Sequence, residues 1–220
     1  MSITAVGSLA VGNPIPVSPT ALGDVMVAFF AVDCTISVSH ILSVSGGGVT
    51  TWDELTPSST TGENYTRMWW GVITTTGSST ITPTYDDTAY LSYVAYAAQQ
   101  FTSSVPGTWT ADSVYGVADD FTTLGPSTGN YPSVIPTGSH ELYVGAGIFL
   151  LGTDAGATTG FTYTAFGSGS YAEAVWNENV SNPTAQAPNW SAPSGVTVLG
   201  VSSGLLIFAV PGENNIVMLL

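Results

Sequence analysis

Lysine is absent from this chain, and arginine occurs once, at Arg67, against fifteen aspartates and glutamates. A surface without cations cannot neutralise phosphates, so nucleic-acid binding and adsorption to anionic membranes have no electrostatic basis. A Walker-type phosphate loop needs its lysine, which removes that route to nucleotide chemistry. One cation also rules out the ion-pair networks of thermophilic surfaces. Cysteine is nearly absent too. Cys34 alone supports neither an intramolecular disulfide framework nor a multi-cysteine metal site, and its ordinary place is as a small buried hydrophobe. His40 and His140, far apart and without cysteine partners, do not make a structural zinc site. Long apolar runs are missing as well. No stretch approaches the roughly twenty residues that cross a bilayer, and the start, Met1-Ser2-Ile3-Thr4, lacks the basic and apolar regions of a signal peptide. The expectation is a soluble chain made in a cytoplasm.

With 44% hydrophobic and 11% aromatic residues, the chain has ample material for a core. Only 7% of residues are charged, so solubility rests on hydroxyls, amides and the mutual repulsion of the carboxylates. Short apolar runs separated by Gly, Pro, Ser and Thr clusters predict an all-β chain. Strands are expected at 25–32, 36–44, 67–74, 80–84, 90–101, 142–150, 161–166, 172–180 and 205–210. The run Val25-Met26-Val27-Ala28-Phe29-Phe30 is apolar on both faces and belongs mid-sheet with both sides covered. Pro83 suits an edge strand or a strand end. Residues 90–101 also place Tyr90, Val94, Ala97 and Phe101 on one helical face, but β-branched and aromatic content favours a strand. Residues 102–135 read as a long Pro/Gly/Asp connection between two halves.

Those halves echo each other. Pro19-Thr20 leads into Gly23-Asp24-Val25-Met26-Val27-Ala28, and Pro136-Thr137 leads into His140-Glu141-Leu142-Tyr143-Val144-Gly145. Each acidic opening is followed by a Gly/Thr-rich stretch, a tryptophan-bearing strand (Trp69 and Trp70, then Trp176) and an apolar strand ending near Phe101 or Val210. Four strands repeated twice suit a jelly-roll sandwich. The segment 23–28, followed by Thr51-Trp52, Met68-Trp69-Trp70-Gly71-Val72, a Thr-rich strand and Ala89-Tyr90-Leu91-Ser92-Tyr93, resembles jelly-roll modules of tailed-bacteriophage virion proteins. Such modules occur in minor tail and head-decoration proteins, especially of phages infecting actinobacteria. The likeness covers about 19–101, with a looser match over 136–210. It implies a virion component, displayed on the particle's exterior, and carries over no functional residue.

Motifs that would name a chemistry fail on context. Gly200-Val201-Ser202-Ser203-Gly204 fits a nucleophile elbow, but a strand rather than a helix follows and both histidines lie upstream. Gly167-Ser168-Gly169-Ser170-Tyr171-Ala172 fits a dinucleotide loop without any βαβ pattern around it, and reads as a hairpin turn. Position 144 is valine, so His140-Glu141 does not open a zinc-protease helix. Asp53-Glu54 after Trp52, and Glu173 and Glu178 around Trp176, pair acids with aromatics as glycosidases do, but solvated strand ends explain them more simply.

Two acidic pairs, Asp86-Asp87 and Asp119-Asp120, fall in expected loops and offer hard oxygen ligands for calcium, although neither has the spaced array of a calcium loop. Trp109 and Trp190 lie in Pro/Gly/Asn-rich surroundings and are candidates for exposure, at a subunit interface or under a sugar ring. The apolar end Ile216-Val217-Met218-Leu219-Leu220 is a final strand or a docking segment for a neighbouring subunit. Arg67 is expected to pair with Glu63 or Asp53. Together these features predict one antiparallel β-sandwich domain of jelly-roll type over 1–220. Its expected role is non-enzymatic: a minor tail or tail-tip protein, alternatively a head-decoration protein, alternatively a glycan-binding module for host polysaccharide. A homo-oligomer meeting other tail or capsid proteins is expected, a trimer by family analogy.

Overall fold

The computed structural model describes residues 1–34, 40–55, 60–61, 64–105, 107–124, 128–149, 156–167, 172–181, 188–191 and 197–211. All regular structure in them is β, and every strand pairing is antiparallel. The chain is an all-β, sandwich-like protein with several antiparallel sheets.

The first half builds a sheet in the order β1 (Ile3–Val11), β9 (Leu91–Ser103), β3 (Val25–Cys34), β7 (Asn64–Val72), β5 (Asp53–Leu55), with β6 (Thr60–Thr61) also on β7. A small sheet, β2 (Ile15–Val17), β8 (Ser79–Tyr85), β4 (Ile41–Gly46), covers one face. The second half repeats the scheme as β10 (Gly107–Leu124), β16 (Thr197–Pro211), β12 (Ser139–Phe149), β14 (Ala172–Ser181), β13 (Thr162–Phe166), with β11 (Thr128–Asn130) and β15 (Asn189–Ser191) as its small sheet.

Strand periodicity explains how three cores arise. Side chains alternate faces along a strand. In β3, Val25, Val27, Phe29 and Ala31 enter a central core, while Met26, Ala28, Phe30 and Val32 enter an outer one with Ile15, Ile41 and Ile81 of the small sheet. In β12, Leu142, Val144, Ala146 and Ile148 meet that same central core, whereas Tyr143 and Phe149 join Trp190 and Tyr131 in a third. The two large sheets thus pack face to face through equivalent residues, and each carries its small sheet outside. The registers agree as well. Val27 lies between Gln99 and Trp70, and Trp70 opposes Asp53; Val144 lies between Leu205 and Trp176, and Trp176 opposes Thr162.

Strands form within each of the nine expected spans, with β9 in place of a helix; positions 36–39 of the span 36–44 and position 150 of 142–150 lie outside the described residues. Four expectations change. The stretch 102–135 is not a connection, because the 18-residue β10 and the short β11 lie within it. Its Gly and Asp residues hid the alternation, and β10 absorbs them at register shifts against β16, between Ala111 and Tyr115 and between Ala118 and Phe121. Second, β8 is the middle strand of the small sheet and not an edge, with Pro83 towards its end. Pro83 is tolerated there because β2 ends at the Ile15–Ile81 pair, so only β4 flanks the proline. Third, the halves do not contribute four strands each to one sandwich; each builds its own large and small sheet. Fourth, β1 was not foreseen: its glycine and small residues carry little apolar pattern, and much of it is exposed.

Candidate functional site

The residues singled out from sequence scatter across this frame. Trp109 and Trp190 are not on exposed loops. Trp109 lies on β10, 4% exposed, and its indole N–H donates to the Gly23 carbonyl at 2.8 Å. Trp190 lies on β15, 1% exposed, packed at 5.5 Å between ring centres on Phe149. Polar neighbours in sequence suggested surface, but pairing into strands turned both rings inward. The segment Ile216, Val217, Met218, Leu219 and Leu220 lies outside the described residues, as do Ser168, Gly169, Ser170 and Tyr171 of the glycine-rich turn.

The carboxylates have structural duties. Asp86 accepts from the His40 backbone N–H at 2.7 Å and faces its Nδ1 at 3.1 Å; these bonds, the backbone one foremost, hold the Asp86 carboxyl below the usual aspartate range. Asp87 accepts from the Ala89 N–H at 2.8 Å, closing a turn. Asp119 and Asp120 fall within β10, at its second register shift, rather than in a loop, and their side chains lie outside the described residues. Among the described residues no three His, Cys, Asp or Glu side chains gather as a metal-binding group.

Arg67 pairs with Glu54 at 2.8 Å, not with Asp53, and also donates to the Ile41 carbonyl at 3.1 Å; Glu63 lies outside the described residues. Strand alternation explains the choice. Glu54 opposes Trp69 across β5 and β7, on the same face as Arg67, while Asp53 opposes Trp70 on the other face. Burial raises the Glu54 carboxyl above its ordinary value, outweighing the pull of the guanidinium. Of the other acid–aromatic pairs, Glu178 accepts from the Trp176 indole at 3.2 Å. Glu173 is 2% exposed and accepts from the Tyr131 hydroxyl at 2.8 Å. Desolvation pushes Glu173 up to about 7, against the lowering effect of that hydrogen bond. Gly200-Val201-Ser202-Ser203-Gly204 runs inside β16, where no strand-to-helix elbow exists.

The acids that open β3 and β12 show what the sequence echo is for. Asp24, 7% exposed, accepts from the Gln100 amide at 2.6 Å, and the same amide holds Thr20 at 3.0 Å. Glu141, 1% exposed, accepts from the Gly138 N–H. Each acid ties the Pro-Thr lead to its strand.

What composition could not reveal is three cavities lined mainly by the first half. The first, about 410 Å³, opens beside the β1 register shift, over Met26, Ala98 and Gln100. A second, about 300 Å³, shares Ser78 with it and lies between the 46–50 and 74–79 turns. A third, about 330 Å³, shares Thr50 and Thr74 with the second and ends on Asp53, Trp70 and Trp109. Hydroxyls dominate the polar lining, and Asp53 is the single charged group among the described lining residues. The cavities draw on many separate strands and turns, so no local motif marks them. No protein-family model, curated protein or solved structure matches this chain.

Proposed function

We propose that the chain is a non-enzymatic structural component of a tailed-phage virion, first as a minor tail or tail-tip protein, with head decoration as the alternative placement. The observation that carries this reading is connectivity. The order β1-β9-β3-β7 in one sheet with β2-β8-β4 in the other supports a jelly-roll reading, and β10-β16-β12-β14 with the two-stranded β11-β15 follows the same order in part. We therefore read the chain as two jelly rolls joined through their larger sheets, which agrees in type with the virion modules its sequence resembles. Three further features support the reading. The two rolls share one apolar core, which makes a stiff building block. The chain carries one cation among fifteen acids, suited to a particle's solvent-facing side and not to its nucleic acid. The carboxylates Asp24, Glu54, Asp86, Glu173 and Glu178 each hold a structural partner.

Immunogold electron microscopy on purified particles tests this. Label at the tail supports the first placement and label over the head supports decoration. Particles that carry no label while the free protein is recognised overturn the virion reading.

A further inference from the structure

Thr20 and Gln100 meet beside the buried carboxylate of Asp24, and we propose that the three residues carry out a reaction on the chain itself: the Thr20 hydroxyl forms an ester with the Gln100 side chain, and ammonia is released. The bond lies within one chain and does not depend on where the protein sits, so it stands or falls separately from the virion reading.

Position 100 is an unusual place for an amide. Gln100 is buried, pairs with Met26 across β9 and β3, and shares its face of β9 with Tyr96 and Ala98 of the outer core. The second half has leucine there: Leu206 opposes Tyr143, the counterpart of Met26. A buried carboxamide is costly unless its polar atoms are engaged, and those of Gln100 are engaged by the same two residues. Its Nε2 donates to the Asp24 carboxylate at 2.6 Å and to Thr20 Oγ1 at 3.0 Å, and its Oε1 accepts from the Thr20 backbone N–H at 3.2 Å. Thr20 therefore faces both ends of the carboxamide at once.

These contacts are the parts of an acyl transfer. Thr20 Oγ1 is the nucleophile. Its 3.0 Å contact with Nε2, joined to an amide C–N bond of about 1.33 Å, keeps it within about 4 Å of the Gln100 Cδ, and rotation about Thr20 χ1 carries it over the carbonyl. The Thr20 backbone N–H is aimed at Oε1, where negative charge develops when the hydroxyl adds. Asp24 is the proton carrier, because its carboxylate and Thr20 Oγ1 are bound to the same nitrogen. The bond from Oγ1 to Cδ forms and the bond from Cδ to Nε2 breaks. The hydroxyl proton passes to Asp24 and then to Nε2, which leaves as ammonia. Nothing is oxidised or reduced, and Asp24 ends as it began.

The surroundings suit the reaction. Thr20 is exposed, and it lines the cavity of about 410 Å³ together with Gln100, so ammonia has a way out to solvent. Dilution of the released ammonia then opposes the reverse step. The second half supplies an internal comparison. It keeps the threonine and the acid, as Thr137 and Glu141, but Glu141 is engaged by the Gly138 N–H and no amide stands at position 206. The bond is accordingly confined to the first half. It ties the Pro-Thr lead to β9 across 80 positions of sequence, enclosing β3 and β7, and so shortens the loops open to the unfolded chain.

Intact-mass spectrometry of the full chain, held folded at neutral pH until its mass is constant and then denatured, tests this. The parent should be lighter than its unreacted sequence by one ammonia, about 17 Da. Peptic digestion should give a single fragment that joins the segment around Thr20 to the segment around Gln100. Thr20→Val, which removes the hydroxyl at an exposed position, should keep the unreacted mass, and so should Asp24→Asn. A parent at its unreacted mass overturns the proposal. So does a loss of ammonia that persists in Thr20→Val, which places it elsewhere in the chain, or a gain of about 1 Da at Gln100, which shows hydrolysis of the amide by water instead.

Discussion

Gly23 and His140 occupy the same place in the two halves, one residue before the acid that opens the central strand, and both have left-handed backbone, with φ of 83° and 61°. His140 is the one non-glycine residue with positive φ among the described residues. The bend that brings each Pro-Thr lead into its strand therefore has a fixed backbone shape, and the second half makes it without glycine.

Left-handed backbone costs a side-chain-bearing residue about 1–2 kcal/mol. Replacing Gly23 by Ala should destabilise the chain by about 1 kcal/mol through backbone alone, because a Cβ there meets nothing within 4 Å. The reverse change, His140→Gly, should be neutral to stabilising by up to about 1 kcal/mol, since the His140 N–H keeps its bond to the Ser181 hydroxyl. Urea unfolding of both variants checks the pair. A destabilised His140→Gly would show that the imidazole makes a contact worth more than the strain.

The central core contains Val25, Val27 and Phe29 from one half and Leu142, Val144 and Ile148 from the other. Neither large sheet keeps that face covered without its partner, so the halves should unfold together. Scanning calorimetry should show one transition with matching calorimetric and van't Hoff enthalpies. Phe29→Ala, at about 3–5 kcal/mol, should move the whole transition down rather than split it. Two resolved transitions, one of them unmoved by this variant, would contradict a shared core.

Glu173 is raised from 4.5 to about 7 by burial, so the folded chain holds a proton there that the unfolded chain releases. Its contribution is full below about pH 4.5, falls as pH rises towards 7, and is lost above that. The decline from this group should total about 3 kcal/mol. Tyr131 donates to it, and Tyr163 lies near enough for its own ionisation to be raised by the Glu173 charge. Glu173→Gln keeps an oxygen for Tyr131 and should abolish this decline, leaving the variant more stable than the parent at pH 8. Urea midpoints across pH 4 to 8 read it out. An identical decline in the variant would place its origin elsewhere.

How far the sequence revealed the fold depended on burial. β3 was legible because both its faces are buried, which leaves an uninterrupted apolar run. β12 and β14 were legible for the same reason. β10 was not, because its register shifts break the two-residue period and place Asp119-Asp120 inside a strand. The acid-led echo was visible because Asp24 and Glu141 perform the same local task. The cavities were not visible, because they form where turns at 46–50 and 74–79 meet strands distant in sequence, among them β1, β5 and β10. Sequence neighbours said nothing of that meeting, and they misplaced Trp109 and Trp190 by treating polar surroundings as exposure.

The most direct measurement of the structural reading is the mass of the purified chain by light scattering, with and without a calcium chelator. A particle component built on this sandwich should be a defined homo-oligomer, a whole multiple of 22.6 kDa. Chelation should leave that mass unchanged, because Asp86 is engaged by His40 and Asp87 by its own turn. A monomer at every concentration tested would contradict the account.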